Sequence, residues 1–367
     1  MRCFITTLGN DLHAAAVASE LRARGHSVFV HYGEDFPAVQ PVSIRFGSNR
    51  ESAETGAGAR GRVDLAAFDT VWNRRRIAYA LPDRLHPDDR DFARKELRAF
   101  TEGLWDLVSP AAFWVNPLSA AAKAKRKIAQ LVAARACGMP VPETLMSNDP
   151  DEIRAFVRAH GGAVYKSFMP AFWEQPQAFR SLFATVVGEH DLGDDDALSL
   201  CPGIYQVPVR AAYELRVTVF GRNAFALQHA RPDSARGIDA RAGHLDGMRT
   251  ASYALPGALR ERLMAFMATM DLRFACFDIL AMPGGDYCFL EANEAGQFLW
   301  VEQLQPEIPM LDAFCSYLER ADDDYVYAPG ARPVRLGDRL HSADYEAARD
   351  RRAAEDLAAD TPLFVGA

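Results

Sequence analysis

Two short apolar runs, Phe274–Leu280 and Tyr287–Ala292, flank Pro283-Gly284-Gly285-Asp286, and no other feature limits the fold as tightly. β-rich residues on both sides of a Pro-Gly-Gly-Asp turn predict an antiparallel hairpin. Centring the turn between Gly284 and Gly285 sets Asp278 opposite Glu291, with Cβ atoms about 4.5–5.5 Å apart. Asn293, two residues further on, then shares their face of the sheet. A loop of three or five residues would break that register. Two carboxylates facing each other among Phe, Ile, Leu and Cys are costly to bury. Either they are solvated on a surface hairpin, or a divalent cation lies between them. Oxygen donors without His or Cys select magnesium or manganese rather than zinc. Magnesium commonly completes its shell with phosphate oxygens, so a bound nucleotide phosphate is implied.

The remaining pattern predicts an α/β (α+β) protein. Cys3–Leu8 and Ser27–Tyr32 read as strands around an amphipathic helix, Leu12–Arg24, which is a βαβ unit with a parallel sheet. Gly47–Arg62 reads as an exposed loop, Thr70–Asn73 as a strand and Asp88–Leu107 as a charged helix. A single helix is expected over Ser119–Cys137, closed by Gly138. Asn148 is expected to cap the next helix, Ala163–Phe168 is a strand, and Met169–Phe179 reads as an irregular loop. Tyr213–Ala230 alternates around Gly221-Arg222-Asn223 as a second hairpin. A last helix covers Met310–Arg320, with helix again near Ser342–Ala358. These elements divide into residues 1–116 (N-terminal α/β domain), 117–204 (central subdomain), 205–320 (C-terminal subdomain with the paired acids) and 321–367 (extension).

Composition narrows the function classes. At 367 residues, the chain can bury two or three cores. A formal net charge of −8 argues against nucleic acid and anionic membrane as partners, since such surfaces are usually basic. No apolar run approaches the ~20 residues of a membrane span, and nothing resembles a signal peptide, so a cytoplasmic location is expected. The six cysteines form no CxxC pair and read as reduced, mostly buried thiols.

Only five of the 41 basic residues are lysines. Lys166 on an apolar strand either snorkels to solvent or supplies a compact point charge where Arg's planar fork does not fit. Lys127 is either part of a solvated basic helix face or a second such charge; together they can hold two phosphates. The extended Tyr205–Val209 segment, broken by Pro208, can offer backbone groups to an adenine edge. Glu214 and Arg216 share a strand face, as a cross-strand ion pair or with Arg216 aimed at a reacting phosphoryl group.

Taken in order, these segments resemble an ATP-grasp ligase, and most of all the microviridin-type (graspetide) ligases that cross-link ribosomal peptides. The similarity is most specific over Phe289-Leu-Glu-Ala-Asn-Glu-Ala-Gly-Gln-Phe-Leu-Trp-Val-Glu302, especially Gly296-Gln297 and Leu299-Trp300. It extends to Val71-Trp72-Asn-Arg-Arg75, Lys127-Ile-Ala-Gln130, Pro142-Glu-Thr-Leu145, Asn148-Asp-Pro150 and Glu214-Leu-Arg-Val-Thr-Val219. The resemblance implies an ATP-grasp fold in which two α+β subdomains clamp ATP. It implies that Lys127 and Lys166 bind phosphates, that Gln206, Val207 and Val209 form the adenine hinge with Glu214 nearby, and that Arg216 steadies phosphoryl transfer. Asp278, Glu291 and Asn293 would hold Mg²⁺. Trp72, Arg75, Asp239 and Arg241 would lie on the substrate side, and the assembly would be a homodimer.

By the same resemblance, a carboxylate is activated as an acyl phosphate and joined to an amine or hydroxyl of a precursor peptide, forming an amide or ester. Alternatives are the joining of free amino acids or small peptides, and a degenerate protein that binds nucleotide or peptide without turnover. Three departures stand out. Val207 replaces an acid at the hinge, Glu294 stands where the family has Pro, and Phe168–Trp173 replaces a Gly-containing phosphate lid.

Overall fold

The computed structural model describes residues 1–48, 51–56, 62–75, 81–82, 84–169, 171–175, 178–182, 184–230 and 249–358. It opens with the expected βαβ unit. Strands β1 (Arg2–Thr7) and β2 (Ser27–Tyr32) pair in parallel, joined by α1 (Leu12–Ala23). Asp11 caps α1 by accepting the backbone N–H groups of His13 and Ala14. Strands β3 (Val42–Phe46), β4 (Glu51–Gly56) and β5 (Arg62–Asp64) form a separate antiparallel sheet. The stretch expected to be a loop thus holds β4, because Ala53 and Thr55 alternate inward and bury one face.

Strand β6 (Thr70–Asn73) pairs with β1, helix α2 spans Arg90–Leu104, and β7 (Phe113–Val115) completes the parallel sheet in the order β2-β1-β6-β7. The helix expected over Ser119–Cys137 is two, α3 (Leu118–Ala124) and α4 (Lys127–Ala136). Neither Gly nor Pro marks the break. It is held by the buried Gln130, whose Nε2 donates to the Ala124 carbonyl. Both helices lie in one apolar cluster with Leu215, Val217, Phe277 and Phe289 of the C-terminal sheet, rather than with the central strands.

The central sheet has the antiparallel order β12-β9-β13-β8. Its parts are β8 (Thr144–Ser147), α5 (Pro150–Ala159), β9 (Ala163–Lys166), a hairpin of β10 (Ala171–Gln175) and β11 (Ala178–Leu182), β12 (Thr185–Val187), α6 (Asp195–Ser199) and β13 (Gly203–Gln206). Asp149, not Asn148, caps α5. The loop expected over Met169–Phe179 instead contains β10 and the start of β11, paired antiparallel. Because β13 pairs with both β8 and β9, this sheet runs through Gln206, past the expected division at residue 204.

The C-terminal sheet is ordered β16-β15-β14-β17-β18. It comprises β14 (Tyr213–Phe220), β15 (Asn223–His229), β16 (Thr250–Tyr253), then α7 (Gly257–Met270), β17 (Phe274–Ala281) and β18 (Tyr287–Asn293). One face, through Val217, Val219, Phe277 and Phe289, packs on α4 and α7. The other face changes character along its length. Phe220, Phe274 and Cys276 join the core shared with α1, Trp72 and Phe314. Beyond them the same face carries Arg216 and Asp278.

Helices α8 (Trp300–Leu304), α9 (Met310–Arg320) and α10 (Ala343–Ala358) follow. The chain after α9 wraps back over the body. Tyr327 donates to Asp312, Leu336 N–H to the buried Glu302, and Arg339 to the buried Glu20, while Asp344 pairs with Arg22 of α1. Four cysteines, Cys3, Cys276, Cys288 and Cys315, are buried, and all six are free thiols. Among the described residues, no helix is long and apolar enough to cross a membrane.

Candidate active site

Asp278 faces Glu291 across β17 and β18, and Cys276 faces Asn293, so both acids and the amide share one sheet face. The route to that register differs from the symmetrical turn expected. Asp286 O accepts from Met282 N–H, leaving a three-residue loop whose third residue, Gly285, has φ +88°. Alone, this loop would turn Glu291 toward the apolar face. The ladder slips by one residue between Asp278 and Ile279, so Leu290 is bulged out and Glu291 returns to Asp278's side.

The sheet supplies a cation to each acid. Arg216 lies directly opposite Asp278 on β14 and donates to it at 2.7 Å. Its second amino group donates to the Gln297 carbonyl at 2.9 Å. Burial opposes the Arg216 charge, but Asp278 outweighs it and the guanidinium pKa rises. Arg216 is thus paired with Asp278 rather than Glu214, which lies 3.7 Å from His229 on β15. Glu291 accepts from the Lys127 ammonium. Lys127 is the first residue of α4, where unpaired helix N–H groups and the helix dipole favour an anion. Gln130, one turn later, both donates to and accepts from the backbone of Ala292, which fixes that helix end beside Glu291.

Lys166 ends β9 on the central sheet. The buried Cys288 thiol is pushed up to about 11, mainly by burial, with the Lys166 ammonium acting in the opposite direction. In the segment expected to form the hinge, Gln206 Nε2 donates to Thr144 Oγ1 and Val207 N–H to the Glu143 carbonyl. Both contacts hold the end of β13 against β8, and Val209 is half-buried just beyond.

A cleft of about 280 Å³ joins the C-terminal sheet to the N-terminal domain. Lys127, Glu291 and Asn293 line it together with Asn73, Arg74 and Arg75. Glu294, expected beside the metal residues, pairs with Lys125 at 3.8 Å. Arg75 remains 40% exposed, 3.8 Å from Asp11. Trp72 does not meet the cleft as a substrate residue would. It is buried, edge-on to Phe314 with ring centroids 4.9 Å apart, and its role is core packing. Asp239 and Arg241 fall outside the described residues.

The donor set fits magnesium. Asp278 and Glu291 offer hard oxygens, and Glu291 and Asn293 open into a cleft with room for phosphate and water. Among the described residues, no three His, Cys, Asp or Glu side chains gather as a metal site, so the protein would supply only a few ligands.

Several contributors were not singled out from sequence. Gln130 lies one helical turn after Lys127, a spacing that places both on one side of α4. Gly296 admits the guanidinium: a Cβ there would stand 2.9 Å from Arg216 Nη2 and 2.6 Å from Cys276 Cβ. Asn73 and Arg74 sit inside the Trp72–Arg75 segment, where Arg74 is the buried arginine and Arg75 the exposed one.

A parallel N-terminal sheet followed by a four-stranded antiparallel central sheet and a five-stranded antiparallel C-terminal sheet fits the ATP-grasp fold, and comparison with solved structures bears this out. Residues 3–122 match the MvdD pre-ATP grasp domain. The macrocyclase MdnC of Microcystis aeruginosa MRC, solved with its precursor peptide MdnA, is 26% identical with TM-score 0.76, covering 87% of this chain and 99% of that one. A Chryseobacterium gregarium RiPP-associated ATP-grasp ligase, solved with ADP and a leader and core peptide, is 22% identical with TM-score 0.79, covering 89% and 99%. The ATP-grasp ligase PsnB, solved with minimal precursor, Mg and ADP, is 23% identical with TM-score 0.64, covering 87% and 96%. No curated protein matches the chain in sequence. The chain resembles the microviridin-type peptide ligases.

Proposed function

We propose that this protein is an ATP- and magnesium-dependent ligase that cross-links side chains of a ribosomal precursor peptide through an acyl phosphate. The observation that carries the reading is the convergence of Asp278, Glu291 and Asn293 on one sheet face, with Arg216 and Lys127 paired to the two acids. Precursor peptide, ADP and Mg in structures of similar fold support it.

Lys127 and Lys166 would bind the nucleotide phosphates as point charges from two sides, and residues 206–209 would hold the adenine edge. Magnesium bound by Asp278, Glu291 and Asn293 would neutralise phosphate charge, and manganese can occupy the same oxygen set. Lys127 would exchange its contact with Glu291 for a phosphate. Arg216, already fixed by Asp278 and Gln297, would meet the charge that develops on the transferring phosphoryl group without rearranging. The substrate carboxylate attacks the γ-phosphorus and ADP leaves. An amine or hydroxyl then attacks the acyl carbon, loses its proton and releases phosphate, giving an amide or ester.

Incubation with acidic peptides carrying Lys, Ser or Thr, ATP and Mg²⁺, followed by mass spectrometry, tests this. The expected result is the loss of one water mass for each bond formed, with matching ADP release. Condensation of free amino acids instead would move the assignment to a small-molecule ligase. ATP-dependent stabilisation with no ADP release from any acceptor would refute both. The resemblance also makes a homodimer the expected assembly, which light scattering measures.

A further inference from the structure

Two buried polar atoms of residues that line the cleft stand out among the described residues. Asn73 Oδ1 and Arg74 Nη2 are buried and lack a hydrogen-bond partner. Leaving such groups unpaired usually costs about 1–3 kcal/mol each, so native structures rarely keep them without a use. Arg74 is only 1% exposed, and the rest of its guanidinium is committed. Nε donates to Asp11 at 3.0 Å, and Nη1 to the carbonyls of Ala295 and Gly296. These contacts fix the orientation of the remaining Nη2 donor. Asn73 ends β6 at the carboxyl edge of the parallel sheet, where α/β folds commonly place ligands. Both residues line the same cleft as Lys127 and Glu291.

We infer that Asn73 and Arg74 form the subsite in which the two reacting side chains meet. Arg74 Nη2 donates to the carboxylate that will take the phosphoryl group, and Asn73 Oδ1 accepts the N–H or O–H of the incoming nucleophile. One donor and one acceptor, adjacent in sequence, match the two halves of the bond to be made. The inference rests on the ligase reading above and adds where the peptide's side chains are held.

Binding and turnover separate the two. The probes are a synthetic peptide with one glutamate and one lysine, and its glutamate-to-glutamine version. Calorimetry on the full-length protein should show the glutamate peptide preferred by about tenfold or more, as for a hydrogen bond to a charged group. Arg74→Lys should remove most of that preference while Mg-ADP affinity stays unchanged. Asn73→Ala should keep the preference. With hydroxylamine as a small surrogate nucleophile, it should still trap the acyl phosphate as hydroxamate, while cross-linking to lysine falls at least tenfold.

Equal preference in wild type and Arg74→Lys would overturn the Arg74 assignment. Equal losses of trapping and cross-linking in Asn73→Ala, or no loss, would overturn the Asn73 assignment. A wild-type protein that binds the peptide with an Arg74-dependent preference yet releases no ADP would uphold the carboxylate site and sink the ligase reading instead.

Discussion

Replacing Gly296 with alanine tests how Arg216 is placed. The new Cβ would stand 2.6 Å from Cys276 Cβ, 2.7 Å from its Sγ and 2.9 Å from Arg216 Nη2. Carbon atoms pack comfortably at about 3.5–4.0 Å, so the neighbours must yield by roughly 1 Å. Cys276 is buried on a central strand and cannot retreat, which leaves the guanidinium and the 295–297 backbone to move. Overpacking of this kind costs about 1–3 kcal/mol, and a 1 Å misplacement of a reacting group costs about a hundredfold in rate. Gly284 is the matched control, because a Cβ there meets nothing within 4 Å. Gly284→Ala should stay within about 0.5 kcal/mol of wild type with full activity. The assays are thermal denaturation and peptide-dependent ADP release. Gly296→Ala with the stability and turnover of Gly284→Ala would refute the close-packed placement of Arg216.

Three further outcomes are expected. Glu291→Gln keeps the side chain's shape but removes its charge, so calorimetry should show Mg-dependent ADP binding weakened by about tenfold or more, with binding in EDTA little changed. Gln130→Ala strips partners from the Ala124 carbonyl and from both backbone groups of Ala292, and should lower unfolding free energy in urea by about 2–4 kcal/mol. Buried His13 has its pKa held down to about 3, by burial first and by Arg74 second, and its Nδ1 accepts the Leu299 N–H. Between pH 6.5 and 3 the unfolded chain therefore binds the extra proton, and stability falls as pH falls, by up to about 1.4 kcal/mol per unit. His13→Asn should flatten that slope; an unchanged slope would assign the acid sensitivity elsewhere.

What could be read from the sequence was chemistry repeated along a strand. The hairpins, the opening βαβ unit and the facing of Asp278 and Glu291 follow from side-chain alternation and turn residues, which are local signals. The last of these came out right through a different route, since a three-residue turn and a bulge at Leu290 offset each other. No residue type advertises such a bulge. The break between α3 and α4 was hidden for a similar reason: it depends on Gln130 reaching Ala124 and Ala292, a contact with a strand 162 positions away. Trp72 was expected on the substrate side through the resemblance of the Val71–Arg75 segment, and a resemblance does not say which of its residues are core. Only the surrounding Phe298 and Phe314 decide which. Arg74 and Arg75 are chemically identical in sequence, and tertiary burial alone tells them apart.

The segment that wraps back after α9 has a practical consequence. Three acids of the body, Glu20, Glu302 and Asp312, are each at most 9% exposed and each takes a hydrogen bond from residues 327–339. A truncated protein ending at Arg320 would leave these buried carboxylates with fewer donors, Arg24 for Glu20 and Asp312 and the Leu311 N–H for Glu302. Such a shortened chain is a candidate for poor folding, and a version for expression should retain the wrap.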